Sequence, residues 1–252
     1  MCLILFAWRT HPEFRLVVAA NRDEFFVRAT DPLHRWDNGV LAGRDRAAGG
    51  TWMGVHADGR FAGLTNVRQG FEPSGARSRG ELPLRFLDAA DPAAGAAARI
   101  AADLDGYGGF NLLLADDREM WWLTNRNSVA PQRVSPGIHG VSNAALDTAW
   151  PKVAIGKDRF AAALSADDGS DAAAKRYVDL LADTQRAPWR SLPRTGVPRI
   201  AERRLSAAFV DMGDYGTRAS TVLRIRNDGS FDITEHRFGP AGRPLGTTAL
   251  TS

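Results

Sequence analysis

The stretch Met1-Cys-Leu-Ile-Leu-Phe-Ala-Trp8, the break Arg9-Thr-His-Pro-Glu13 and the return Phe14-Arg-Leu-Val-Val-Ala-Ala20, running into Asn21-Arg-Asp-Glu24, decide the fold. Two apolar runs separated by a polar break with Pro12 read as an antiparallel hairpin. The start of the first strand then lies beside the end of the second. Asn21, Arg22 and Asp23 are therefore expected close to Cys2.

The rest of the chain repeats the device. Leu41 to Arg46 reads as a strand, and Thr51 to Asn66 as a hairpin around Asp58-Gly59, a pair suited to a two-residue turn. Residues 67–79, rich in Gly, Arg and Ser, read as a mobile loop. Helices are predicted over Glu81 to Ala90 and Ala93 to Leu104, broken at Asp91-Pro92. A hairpin follows over Phe110 to Ala115 and Glu119 to Thr124, then a short strand over Gly137 to Asn143. Two more helices are predicted over Thr148 to Leu164 and Asp171 to Asp183, and a Pro- and Arg-rich loop over Thr184 to Ile200. Thr217 to Arg226 and Ser230 to Arg237 make the last hairpin. Strands that come as hairpins give antiparallel sheets, and helices that come in pairs give outer layers. The expected fold is α+β: an αββα four-layer sandwich in a single domain over residues 1–252.

Composition excludes several functions. With 252 residues, 44% hydrophobic and 24% charged, the chain is that of a folded globular protein. The net charge of +3 comes almost wholly from arginine; the lysines are Lys152, Lys157 and Lys175. Arg and Ala enriched together read as a bias toward GC-rich codons. No block of like charge marks a nucleic-acid arm. No run approaches the ~18 apolar residues of a membrane span. The first residues lack the basic segment of a signal peptide, so a cytoplasmic location is the default. The histidines at 11, 34, 56, 139 and 236 show no metal-ligand spacing, and the sole cysteine rules out a cysteine-based zinc site. No phosphate-binding or dinucleotide glycine motif is present, so no metal and no cofactor is expected.

Few residues can carry covalent chemistry. Once Met1 is removed, Cys2 has a thiol and a free α-amine on one residue. The amine can take the thiol proton near neutral pH without another base. The alternative is a buried apolar cysteine in an opening strand. Asn21-Arg-Asp-Glu24 is costly to bury unpaired, and the Asp23 carboxylate is placed to orient the terminal ammonium. Asn66 and Asn143 end apolar strands; each is either an amide donor to an oxyanion or a turn former. Arg218, in Tyr215-Gly-Thr-Arg218, is either a partner for a carboxylate or a surface arginine.

With these blocks in hand, the chain resembles the NRDE family, the transport and Golgi organisation protein 2-like proteins. The marks run along nearly the whole chain: Met1-Cys-Leu, Ala19-Ala-Asn-Arg-Asp-Glu-Phe25, Gly49-Gly-Thr-Trp52, Leu64-Thr-Asn66, Arg79-Gly-Glu-Leu82, Gly109-Phe-Asn-Leu112, Gly140-Val-Ser-Asn143, Trp150-Pro-Lys152 and Tyr215-Gly-Thr-Arg218. That family in turn is similar to the N-terminal-nucleophile hydrolases of the choloylglycine hydrolase and penicillin V acylase type. The resemblance implies that Cys2 is nucleophile and base and that Asp23 holds the α-amine. It implies that Asn143, with Asn66, lines the oxyanion site and that Arg218 supports the pair. Where those acylases have an arginine before their Asn-x-Asp, this chain has Ala20, with Arg22 inside the motif. Two functions follow from it: hydrolysis of a small-molecule amide or acyl bond through Cys2, or carriage of haem or an acyl-type lipid without turnover. Asn21, Arg22 and Asn66 are the expected binding residues.

Overall fold

The computed structural model describes residues 2–70, 75–126 and 130–252. The middle of the loop expected over 67–79 lies outside them. In chain order the elements are β1 (Cys2–Trp8), β2 (Phe14–Phe25), β3 (Thr30–Arg35), β4 (Val40–Asp45), β5 (Met53–His56), β6 (Phe61–Asn66), α1 (Glu81–Leu87), α2 (Ala93–Ala101), β7 (Phe110–Ala115), β8 (Met120–Thr124), β9 (Gln132–Arg133), β10 (Gly137–Val141), α3 (Pro151–Ser165), α4 (Asp171–Leu181), α5 (Arg199–Arg204), β11 (Tyr215–Arg226), β12 (Phe231–Phe238) and β13 (Pro244–Thr251). They build two antiparallel sheets, ordered β10-β1-β2-β11-β12-β13 and β3-β4-β5-β6-β7-β8-β9.

Every residue of β1 is buried, which is why the strand reads as a continuous apolar run rather than an alternating one. Its two faces serve different layers. Ile4, Phe6 and Trp8, with Leu16 and Val18 of β2, meet Met53, Val55, Phe61, Leu113 and Trp122 of the other sheet in the central core. Leu3, Leu5 and Ala7, with Val17 and Ala19, face outward onto Val153 and Phe160 of α3 and Tyr177 and Leu181 of α4. On the far side, Phe86 of α1 and Ala96 and Ile100 of α2 cover Ala62, Leu64, Leu112 and Leu114. The order helix, sheet, sheet, helix is therefore an αββα sandwich. Each fully buried Leu or Phe contributes about 1.5–3 kcal/mol to holding these layers together. No helix among the described residues is long and apolar enough to cross a membrane.

Four local readings need correction. Asn21-Arg-Asp-Glu24 lies within β2, not after it, because β11 pairs with β2 as far as Phe25 and supplies partners for those backbone groups. β3 and β13 were not expected; β3 contains Pro32 and β13 is an exposed edge strand without an apolar face. The Pro- and Arg-rich segment ends in a helix, α5, for which Pro198 stands at the cap.

Candidate active site

Hairpin register sets the site. Cys2 pairs with Arg22, so the two side chains share the inner face of the sheet. The next residue, Asp23, points to the other face and pairs with Thr217 of β11. At the end of the sheet the two faces open onto one pocket of about 350 Å³, lined by Cys2, Arg22, Asp23 and Asn66, with Thr51, Trp52 and Arg79 opposite. A backbone contact forms that opposite wall. A Cβ on Gly50 would lie 2.3 Å from the Gly80 carbonyl oxygen, and Thr51 N donates to that oxygen at 2.9 Å. Only glycine lets the two segments close, which brings Trp52 and Arg79 to the same cavity.

Cys2 is 9% exposed and burial pushes its thiol up; Arg22 pulls against this. Burial likewise raises the Asp23 carboxyl, opposed first by Lys152 and then by the Thr217 hydroxyl, which donates to Oδ1 at 2.7 Å. Tyr215 Oη donates to the Asp23 carbonyl at 3.0 Å and fixes the backbone there. Lys152 is the residue that sequence reasoning left without a role. It sits in the first turn of α3, 5% exposed, and its Nζ has no hydrogen-bond partner among the described residues. Burial pulls its ammonium down, and the Asp23 charge pushes it back up. The charges of the buried Asp23 carboxylate and of the Cys2 thiol both act on this ammonium. The signal was available: Trp150-Pro-Lys152 carries one of only three lysines, directly after a proline that starts a helix.

The remaining expected residues divide. Asn66 lines the pocket, and its backbone carbonyl accepts from Asn143 Nδ2 at 2.8 Å. Asn143 is wholly buried one layer behind. Beside it, Ser142 Oγ lies 2.8 Å from the Cys2 carbonyl and 3.2 Å from Asn143 Oδ1. Asn21 is turned to the helical side, where Nδ2 donates to the carbonyls of Leu181 and Ala208, 2.9 Å each. It ties β2 to that layer and does not line the pocket. Arg218 does not line it either. The ladder slips between Thr217 and Ala219, so Arg218 is the extra residue of a bulge. Its guanidinium donates to the carbonyls of Phe25, at 3.2 Å, and Arg28. It lines a separate cavity of about 100 Å³ with Arg22, Trp52 and Glu235. No cluster of metal-ligating side chains occurs among the described residues.

Residues 1–240 match the family described as Transport and Golgi organisation 2. The chain belongs to that family. The bovine Transport and Golgi organization protein 2 homolog is 34% identical over 93% of this chain and 92% of its own length. The human homolog is 31% identical over the same shares, and the Drosophila melanogaster protein 25% over 93% and 91%. Among solved structures, the Caenorhabditis elegans orthologue of N-acylethanolamine-hydrolyzing acid amidase aligns at TM-score 0.48 with 11% identity, covering 80% of this chain and 96% of that one. Penicillin V acylase from Agrobacterium tumefaciens aligns at TM-score 0.46 with 13% identity, covering all of this chain and 85% of that one. For this Transport and Golgi organisation 2 family member, the motif Asn21-Arg-Asp-Glu24 thus divides along the strand: Arg22 and Asp23, nearer its open end, reach the pocket from opposite faces, and Asn21, one step deeper on the face of Asp23, holds the helical layer.

Proposed function

We propose that the chain is a cysteine amide hydrolase in which Cys2, exposed as the first residue by removal of Met1, is the nucleophile. The observation that carries this reading is that Cys2 and Asp23 line one pocket from adjoining strand ends, with the Asn66 amide beside them. Burial raises the Cys2 thiol, so the thiolate needs a base at hand. The freed α-amine of the same residue is that base, and the Asp23 carboxylate holds its ammonium form. Cys2 Sγ adds to the carbonyl carbon while the amine takes the thiol proton. The C–N bond then breaks, the leaving nitrogen takes that proton, and a thioester remains. Water adds to the thioester, the C–S bond breaks, and the free acid leaves with the thiol restored. Asn66 Nδ2 is the oxyanion donor, and Asn143 fixes the main chain beneath it by donating to the Asn66 backbone carbonyl. Arg218 acts at a distance, holding the Phe25 and Arg28 carbonyls of the turn that follows β2.

The test compares the processed protein with a form that retains Met1, each verified by intact mass. Only the processed form is expected to hydrolyse small N-acyl amides, because a retained Met1 turns the base into a non-basic peptide nitrogen. Equal rates sink the reading. Equal rates together with undiminished ligand binding favour the alternative, a carrier of haem or an acyl lipid. No histidine lines the pocket among the described residues, so haem held there would lack an axial imidazole from them.

Lys152 makes the pH dependence specific. The Lys152 charge pulls the Asp23 carboxyl down against the rise that burial causes. In Lys152→Met the Asp23 carboxyl rises further, so a smaller fraction is ionised at any given pH. The acid limb of the kcat/KM profile is expected to move to higher pH by about one pH unit. An unmoved limb means that Lys152 does not act on Asp23.

A further inference from the structure

The pocket before Cys2 is lined by four arginines, Arg22, Arg28, Arg77 and Arg79, and by the carboxylates Asp23, Glu24 and Asp45. Internal pairing leaves positive charge over. Arg28 Nε holds Asp45 Oδ2 at 2.6 Å. Arg77 is turned to Glu81 and Asp103, at 2.7 and 2.9 Å. The Lys152 charge acts on Asp23. Among the described residues Arg22 has long ion pairs, 3.9 Å to Glu24 and 3.7 Å to Asp45. It lies over the Trp52 ring at 4.4 Å, is 6% exposed, and its Nη1 has no hydrogen-bond partner among the described residues. Arg79 forms no ion pair among the described residues; Nη1 donates to the Gly109 carbonyl at 3.1 Å. A guanidinium has five N–H donors, so Arg79 keeps most of its fork for a ligand. Partly buried cations with unused donors beside a cavity are costly until an anion supplies acceptors and charge.

We infer that the Cys2 pocket takes a compact acyl compound bearing an anionic group, carboxylate or phosphate, with Arg79 as its fork and Arg22 as the second positive wall. Trp52, Leu64, Ala48 and Ala76 supply apolar surface for the hydrocarbon part. As a statement about substrate it rests on the reading of Cys2 as the reactive group; as a statement about binding it does not.

Cys2 is the sole cysteine, so alkylation reads one site. Sγ displaces iodide from iodoacetate, which is anionic, or from iodoacetamide, which is neutral and of similar size. In the folded protein the rate ratio of iodoacetate to iodoacetamide is expected to exceed the ratio in urea by at least about tenfold. Arg79→Met lowers both rates, because the thiolate loses a cation, and returns the ratio to the unfolded value. Arg79→Lys retains part of the preference. A folded ratio equal to the unfolded one overturns the inference. If neither reagent labels Cys2, the nucleophile reading fails by itself, and calorimetric titration with phenylacetate, phenyl phosphate and phenylacetamide decides the subsite. Binding of either anion that is lost in Arg79→Met supports it, and the tighter of the two tells carboxylate from phosphate. Equal binding of phenylacetamide overturns it.

Discussion

Cys2→Ser is expected to lower hydrolysis of an N-acyl amide by about a thousandfold or more, some 4 kcal/mol of barrier, with the fold intact. The hydroxyl is far less ionised than a thiol near neutral pH, and the α-amine is too weak a base to compensate. The change removes little volume at a residue that lines a cavity, so the melting temperature should stay within a few degrees of the parent. Single-turnover hydrolysis and thermal denaturation of the processed proteins check both halves. Undiminished hydrolysis in Cys2→Ser removes the nucleophile role. Lost activity together with a collapsed melting temperature leaves only a structural role for Cys2.

The second large effect is on stability. Glu202 of α5 is wholly buried and pairs with Arg68 Nη2 at 3.1 Å. Its other oxygen accepts from Thr195 N at 3.0 Å and Thr195 Oγ1 at 2.6 Å. Arg68 follows closely on β6, lies over the Trp150 ring at 4.6 Å, and its backbone N–H donates to the Asn143 carbonyl at 2.8 Å. One carboxylate thus ties the loop before α5 to the strand end that carries Asn66. Glu202→Ala leaves a buried guanidinium without its countercharge and is expected to cost about 3–5 kcal/mol. At this chain length that is a fall in melting temperature of roughly 10 °C or more. Glu202→Leu combined with Arg68→Met should recover much of the loss, since an apolar pair replaces the ionic one without an orphan. A single variant that melts with the parent refutes the assignment.

Much of the architecture is legible in the chain because burial leaves a mark. β1 and the centre of β2 are apolar on both faces, and Asp58-Gly59 turns as written, with Gly59 at φ +83°. Pairing of Cys2 with Arg22 follows from counting back through one hairpin. Where the chain is hard to read, the cause is tertiary. α5 hides behind a run of prolines because Pro198 caps it rather than breaking it. The position of Arg218 depends on a one-residue slip against β2, and no local residue pattern announces a slip. Arg79 reaches the pocket only when the segment after Gly75 closes over the strand ends, and Lys152 acts on Asp23 only once α3 has packed against the sheet. Asn21 shows the converse: it is a motif residue that stands beside the chemistry in the chain and faces away from it in space.

That β2 lies between β1 and β11 has a consequence for synthesis. Thr217, which holds the Asp23 carboxylate, is 194 residues away along the chain. The first hairpin leaves the ribosome early, with one sheet edge open and both apolar faces uncovered, and β11 is among the last strands to arrive. Contacts of such sequence separation slow folding, and an open apolar edge is a template for wrong pairing. A nascent chain arrested before Tyr215 should therefore hold Cys2 accessible to reagents but chemically ordinary, and should engage chaperones through β1 and β2. The surroundings that tune the Cys2 thiol would be complete only once translation has passed the far end of β11, so the thiol stays ordinary while the polypeptide is still being made.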